Sequence, residues 1–287
     1  MLSLEQFPTF ILNGIALGMI YFLIAIGLTI IFGMMGVINF AHGALYAVGA
    51  YVAYTITSLV GNFWISLIVA PIVLFAVGIG EYFLLRRLQG VDPVYQLLLT
   101  FGLALIIQEV MIFIWGTVGK PLSIPPIFRG MIDFGIFTYP KYRIFLIFFT
   151  GTLAFLIWLA IMKTRLGAMI RAGTEDSEMV KCVGINITKL FTLVFGLGAS
   201  MAGLAGVMAA PIVGVEPFMG MSILITSFVV VVVGGLGSYG GAILGGLLIG
   251  IIQSIFILLF PAAAAVVVFA FMALVLIVKP QGLLGKN

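Results

Sequence analysis

Glu109, beside Gln108, falls in the middle of an apolar run from 95 to 117 and is the costliest polar residue of the chain. A carboxylate at that depth of a membrane-spanning run must be paired, protonated or turned toward an aqueous cavity, so the residue reads either as a transport group or as a structural one inside a bundle. His42 is the only histidine and Cys182 the only cysteine, which leaves no metal cluster and no internal disulfide. A lone polar residue such as His42 reads equally as a hydrogen-bonding strut or as part of a polar path. A hydrolytic pair of Ser238 with His42 would need a nucleophile elbow and a polar relay, and neither surrounds these residues. The phosphate-binding pattern G-x-x-x-x-G-K-[ST] is absent from the sequence, so ATP-driven work would need a separate subunit. We therefore expect no catalytic residue, no metal and no cofactor.

The elements that must position these residues follow from composition. Of 287 residues 63% are hydrophobic and 8% charged, far below the charge of a soluble domain. Apolar runs at about 8–33, 40–60, 64–85, 95–117, 143–162, 190–212, 221–235, 239–260 and 262–278 are close to the length of a bilayer span. The expected fold is all-α, a polytopic transmembrane helical bundle of eight or nine spans including broken or re-entrant helices, forming one domain over 1–287. Met1 to Phe7 carry Glu5 and no Lys or Arg, unlike the start of a cleaved signal, so the first run is expected to stay as a span.

Basic residues orient the spans. Arg86 and Arg87, then Lys163, Arg165, Arg171, Lys181 and Lys189, then Lys279 and Lys286 mark three cytoplasmic places, putting the amino terminus outside and the carboxyl terminus inside. These clusters are topology signals rather than a nucleic-acid face. The external segment 118–142 runs against the bias with Lys120, Arg129 and Lys141, and Arg143 follows directly. Between Pro211 and Lys279 the chain must cross an odd number of times, as three short spans or as one span with re-entrant pieces. Glu81 and Glu216 lie near span ends and read as interfacial.

The loop 163–189 is long and charged for so apolar a chain. Thr174 reads as the N-cap of a short helix over 174–183, with Glu175, Asp176 and Glu178 in its first turn, Lys181 in its last and Gly184 as its stop. Met179, Val180 and Val183 then form a small apolar patch, either a knob for a cytoplasmic partner or part of a solvated loop. Small residues recur every fourth position at Gly198, Ala202, Gly206 and Ala210, at Gly14 and Gly18, and at Gly246 and Gly250, which fits close helix packing inside the bundle or at a subunit interface. Two polar breaks, one holding Asn39 and His42 and one holding Ser238 and Tyr239, suggest a weak internal repeat.

Five segments in order, Asn39-Phe40-Ala41-His42-Gly43, Ile170-Arg171-Ala172 with Val183-Gly184-Ile185-Asn186, Gly203-Leu204-Ala205-Gly206-Val207, Gly234-Gly235-Leu236-Gly237-Ser238 with Gly241-Ala242, and Lys279-Pro280-Gln281-Gly282-Leu283-Leu284-Gly285, carry a resemblance. The chain resembles the permease family of bacterial and archaeal branched-chain amino-acid ABC importers, LivH type, over almost its whole length. The resemblance implies a multi-pass permease subunit of the cytoplasmic (inner) membrane, working by alternating access with a second permease subunit expected to be a related longer chain, two ABC ATPase subunits and an extracytoplasmic solute-binding protein. It leaves the solute open between branched-chain amino acids and urea, amides or aromatic acids. It implies that the loop holding Arg171 and Gly184 couples to the ATPase, which with the helix read above makes Arg171, Thr174, Glu175, Met179, Val180 and Gly184 the expected coupling residues; the substrate path is expected near Asn39, His42, Gln108, Glu109, Ser238 and Tyr239. The competing reading is an ion-coupled secondary transporter or channel.

Overall fold

Eight helices among the described residues are long and apolar enough to cross a bilayer, and a ninth is shorter. The computed structural model describes residues 7–36, 38–135 and 137–285; Met1, Glu5 and Lys286 of the sequence reading lie outside them. The order is α1 Phe7–Met35, α2 Ala41–Val60, α3 Phe63–Leu85, α4 Pro93–Trp115, a small antiparallel hairpin of β1 Met131–Asp133 and β2 Thr138–Pro140, α5 Lys141–Lys163, α6 Arg165–Glu175, α7 Ser177–Cys182, α8 Ile187–Val213, α9 Met219–Gly234, α10 Tyr239–Leu259 and α11 Ala264–Val278. The expected all-α bundle is thus present.

Residues from the predicted cytoplasmic segments meet at one end. Ile31 and Met34 of α1, Tyr82 and Leu85 of α3, Ile170 and Val180 of the charged loop, and Ile187 and Leu190 of α8 share one apolar cluster there. At the opposite end Lys120 and Val215 exchange backbone hydrogen bonds of 2.7 and 2.9 Å, and Trp115 donates to Thr55. The final stretch holds α9 of 16 residues, α10 of 21 and α11 of 15, and α9 is the one that falls short of a candidate span.

Helix packing is set by glycine. A Cβ on Gly18 would lie 2.7 Å from the Gly246 carbonyl oxygen, and one on Gly250 would lie 2.4 Å from that of Gly14, so α1 and α10 touch backbone to backbone. Gly49 meets Gly203, and Gly206 meets Tyr46, in the same way between α2 and α8. Such approach maximises dispersion where lipid offers no hydrophobic drive for association. The small-residue stripes therefore face inward, matching the first of their two sequence readings.

Two helices start inside the bundle. The His42 Nε2 lies 3.1 Å from the Ile24 carbonyl oxygen, eleven residues before the end of α1 and so about 16 Å back along it at 1.5 Å per residue. Gly43 packs on Gly220 at the start of α9, which places both helix starts at one level. From there α9 runs to the turn 235–238 beside Gly33, near the basic end.

Candidate functional site

A cavity of about 790 Å³ opens among α1, α5, α6 and the turn before α10. Its walls include Thr29 and Gly33, Ile161 and Met162, Arg171, Thr174 and Glu175, and Gly237, Ser238 and Tyr239. Ser238 Oγ accepts the Gly241 N–H at 3.1 Å and so caps α10. The Tyr239 ring stands edge-on to Phe22, while its hydroxyl donates to the Ala154 carbonyl across on α5. Thr29, which the sequence reading passed over, has a buried hydroxyl at this wall without a hydrogen-bond partner among the described residues. Its signal was a hydroxyl in the otherwise apolar second half of α1.

The carboxyl-terminal segment closes one edge. The N–H groups of Leu283 and Leu284 donate to the carbonyls of Val233 and Gly234 at 2.8 and 2.9 Å, satisfying acceptors that α9 leaves open at its C-terminus. Gly235 makes this possible: its φ of +107° favours glycine, and a Cβ there would lie 2.4 Å from the Gly285 nitrogen. Leu284 lines the cavity beside Gly240.

The charged loop holds two helices where one was expected. Thr164 caps α6, its Oγ1 accepting the Gly167 N–H at 3.1 Å. The expected N-cap, Thr174, instead lies in the last turn of α6 and donates its hydroxyl to the Arg171 carbonyl at 2.8 Å. Asp176 is the cap of α7, one carboxylate oxygen accepting the N–H groups of Glu178 and Met179, both at 2.9 Å. A carboxylate that receives two amides at a helix start, where the dipole favours negative charge, outcompetes a hydroxyl. Gly184 ends the helix as expected, at φ +86° with its N–H on the Lys181 carbonyl.

The apolar patch of α7 also divides. Val180 is 5% exposed and joins the cluster of Tyr82, Leu85 and Phe191, whereas Met179 and Val183 are 64% and 75% exposed. Val180 anchors; the other two face outward. Arg171 reaches back to donate to the Ile161 carbonyl at the end of α5, which ties α6 to α5. Glu175 is exposed at the end of α6, on the cavity rim.

The remaining polar residues do not converge. His42 is fully buried between α1 and α2, with its ring where a Cβ on Gly27 would lie 2.9 Å away, the geometry of a hydrogen-bonding strut. Asn39 is buried; its Oδ1 accepts the Ala41 N–H at 2.9 Å, and its Nδ2 faces the Glu81 carboxyl without closing a hydrogen bond. Glu81, four residues before the end of α3, is buried inside the bundle at 6% exposure, and neither of its oxygens has a hydrogen-bond partner among the described residues. Gln108 lines a narrow cleft with Ala44, Met111, Pro217 and Gly220. Glu109 points the other way, exposed on α4 and bare of hydrogen bonds and ion pairs among the described residues. At the opposite end of the bundle, burial pushes the Tyr139 hydroxyl up to about 12, against the pull of Arg143.

A polytopic bundle with helices starting at mid-depth, and a cavity bordered by a short capped helical segment at its basic end, has the build of a membrane permease. The sequence places it more narrowly. Residues 10–278 match the model of the family described as "Branched-chain amino acid transport system / permease component", and the chain belongs to that family. It is 33% identical over 304 residues to the high-affinity branched-chain amino acid transport system permease protein LivH of Salmonella typhimurium, covering 98% of this chain and 97% of the relative. It is also 27% identical over 292 residues to the longer LivM permease of the same organism, covering 93% of this chain and 68% of that one. PsaBC from Streptococcus pneumoniae shares the fold at a TM-score of 0.52 and 12% identity, covering 94% of this chain and 91% of that chain.

Proposed function

We propose that this chain is one of two permease subunits of an ATP-driven importer for branched-chain amino acids or a related small amphiphilic solute. Its basic end faces the cytoplasm and its amino terminus lies outside, in the cytoplasmic membrane of a bacterium or archaeon. The partners are a second, longer permease related to it, two ATPase subunits and an extracytoplasmic binding protein. The observation that carries the reading is α7: six residues long, too short to hold its fold alone, seated by Val180 and turning Met179 and Val183 outward at the end where the cavity opens. A groove on an ATPase is the natural cover for such a knob. The bare Glu109 supports a paired permease, because a charged group facing lipid near mid-span costs about 2.5–3.5 kcal/mol on insertion scales. A polar path shared with the second permease removes that cost.

The test is reconstitution. Purified chain alone in liposomes is expected to take up no leucine under an ion gradient, and uptake is expected to appear when ATPases, second permease and binding protein are added with ATP. Gradient-driven uptake by the chain alone would overturn the reading in favour of an ion-coupled carrier.

A further inference from the structure

α5 and α6 form one rigid piece. A Cβ on Gly167 would lie 2.1 Å from the Ile161 carbonyl oxygen, Thr164 caps α6 at the joint, and the Arg171 guanidinium binds the Ile161 carbonyl across it. This piece is pinned at the far end, where the Tyr142 hydroxyl donates to the Met208 carbonyl at 2.9 Å and Arg143 donates to Asn13 Oδ1. Much of the remaining surface of α5 is bare, with Phe148, Phe155, Leu156 and Met162 all exposed. Toward the basic end Ile170 and Gly173 of α6 pack beside Met34 and Leu190, and two further contacts cross the cavity. One is the Tyr239 hydroxyl on the Ala154 carbonyl, and the other is Thr174, whose methyl would lie 3.2 Å from a Cβ on Gly33.

We propose that α5 and α6 swing as one lever about the pin at Tyr142 and Arg143, that the Tyr239 hydroxyl is the latch of that lever, and that the cavity opens where Thr174 parts from Gly33. The inference rests on the reading of α7 as the ATPase contact, since α7 follows α6 after Asp176 alone and would move it. A latch of this kind costs the helix nothing: the Ala154 carbonyl has a second lone pair, so it can accept Tyr239 without giving up its own helical bond. The opposite wall stays fixed, because the carboxyl-terminal segment holds the end of α9, just before the turn at 235–238, through two backbone hydrogen bonds. Tyr239 is a positioning residue here, acting on the solute through the wall it holds.

The joint can be stapled. A Cβ at position 33 would lie 3.9 Å from the Cβ of Thr174, inside the roughly 3.5–4.5 Å that disulfides span. In a Cys182→Ser background the full complex carrying Gly33→Cys and Thr174→Cys is assayed for leucine uptake and ATP hydrolysis, oxidised and then reduced. Oxidation is expected to abolish uptake and reduction to restore it. Uptake that is equal in both states overturns the lever, whereas a wild-type complex that hydrolyses no ATP and takes up nothing overturns the importer reading instead. Tyr239→Phe keeps the ring against Phe22 and removes only the latch. It is expected to raise ATP hydrolysis in the absence of binding protein and to lower the solute moved per ATP; a wild-type ratio in this variant also overturns the proposal.

Discussion

Replacing Val180 with alanine removes the side chain that seats α7. Val180 is the buried residue of that helix, at 5% exposure, and belongs to an apolar cluster drawn from α1, α3, α6 and α8. Two methyl groups are lost, at about 0.8 kcal/mol each, and the cavity left behind raises the total to about 2 kcal/mol. At 1.36 kcal/mol per factor of ten, the undocked population of α7 should rise by about 30-fold. Hydrogen exchange of the amides from 177 to 184 reads that population directly, because local opening governs their protection. Met179→Ser is the paired control: Met179 is 64% exposed, so its loss should leave exchange unchanged while weakening ATPase co-purification. If exchange rises as much in Met179→Ser as in Val180→Ala, or in neither, the division of the patch into anchor and knob is refuted.

Gly184→Pro should disrupt the end of α7, because the residue holds φ at +86° where proline requires about −65°, and its N–H bonds to Lys181; ATPase co-purification checks this. Glu109→Gln should change solute preference or rate in a reconstituted complex, and an identical uptake profile across amino acids, amides and aromatic acids would assign Glu109 to structure alone. Glu81→Met should leave thermal stability unchanged or raise it by about 1–3 kcal/mol, since both buried carboxyl oxygens lack partners among the described residues and an apolar side chain of similar reach removes that desolvation cost. A fall in the melting temperature of Glu81→Met would show that the carboxyl is held by something else.

Much of the bundle was legible because span length and charge clustering are local properties of the chain. The paired glycines of α1 and α10 could be seen as stripes, but which stripe meets which is a matter of three-dimensional order. The charged loop shows the limit of capping rules. Thr174, Glu175 and Asp176 all suit a helix start, and only the second helix, α6, running into them makes Thr174 an interior residue and Asp176 the cap. That helix was missed because its buried face consists of Gly167, Ile170 and Gly173, two of them glycines that carry little apolar signal. For the polar residues, sequence gave type but not direction. Gln108 and Glu109 are neighbours in the chain and face different surroundings, as successive helical residues lie about 100° apart. Ser238 and Tyr239 do border the cavity, while Asn39 and His42 are buried between helices.

The backbone contact of α1 with α10 has a consequence for how the protein is made. Gly18 finds Gly246, 228 positions later, and at about 5–20 residues per second of synthesis that is a delay of roughly 10–50 s. Throughout that interval the first span stands in the membrane with its glycine stripe facing lipid or an insertion factor, and it acquires its neighbour only as the last helices leave the ribosome. A nascent chain that stalls before α10 therefore displays an uncovered stripe, a mark by which membrane quality control could distinguish unfinished copies from complete ones.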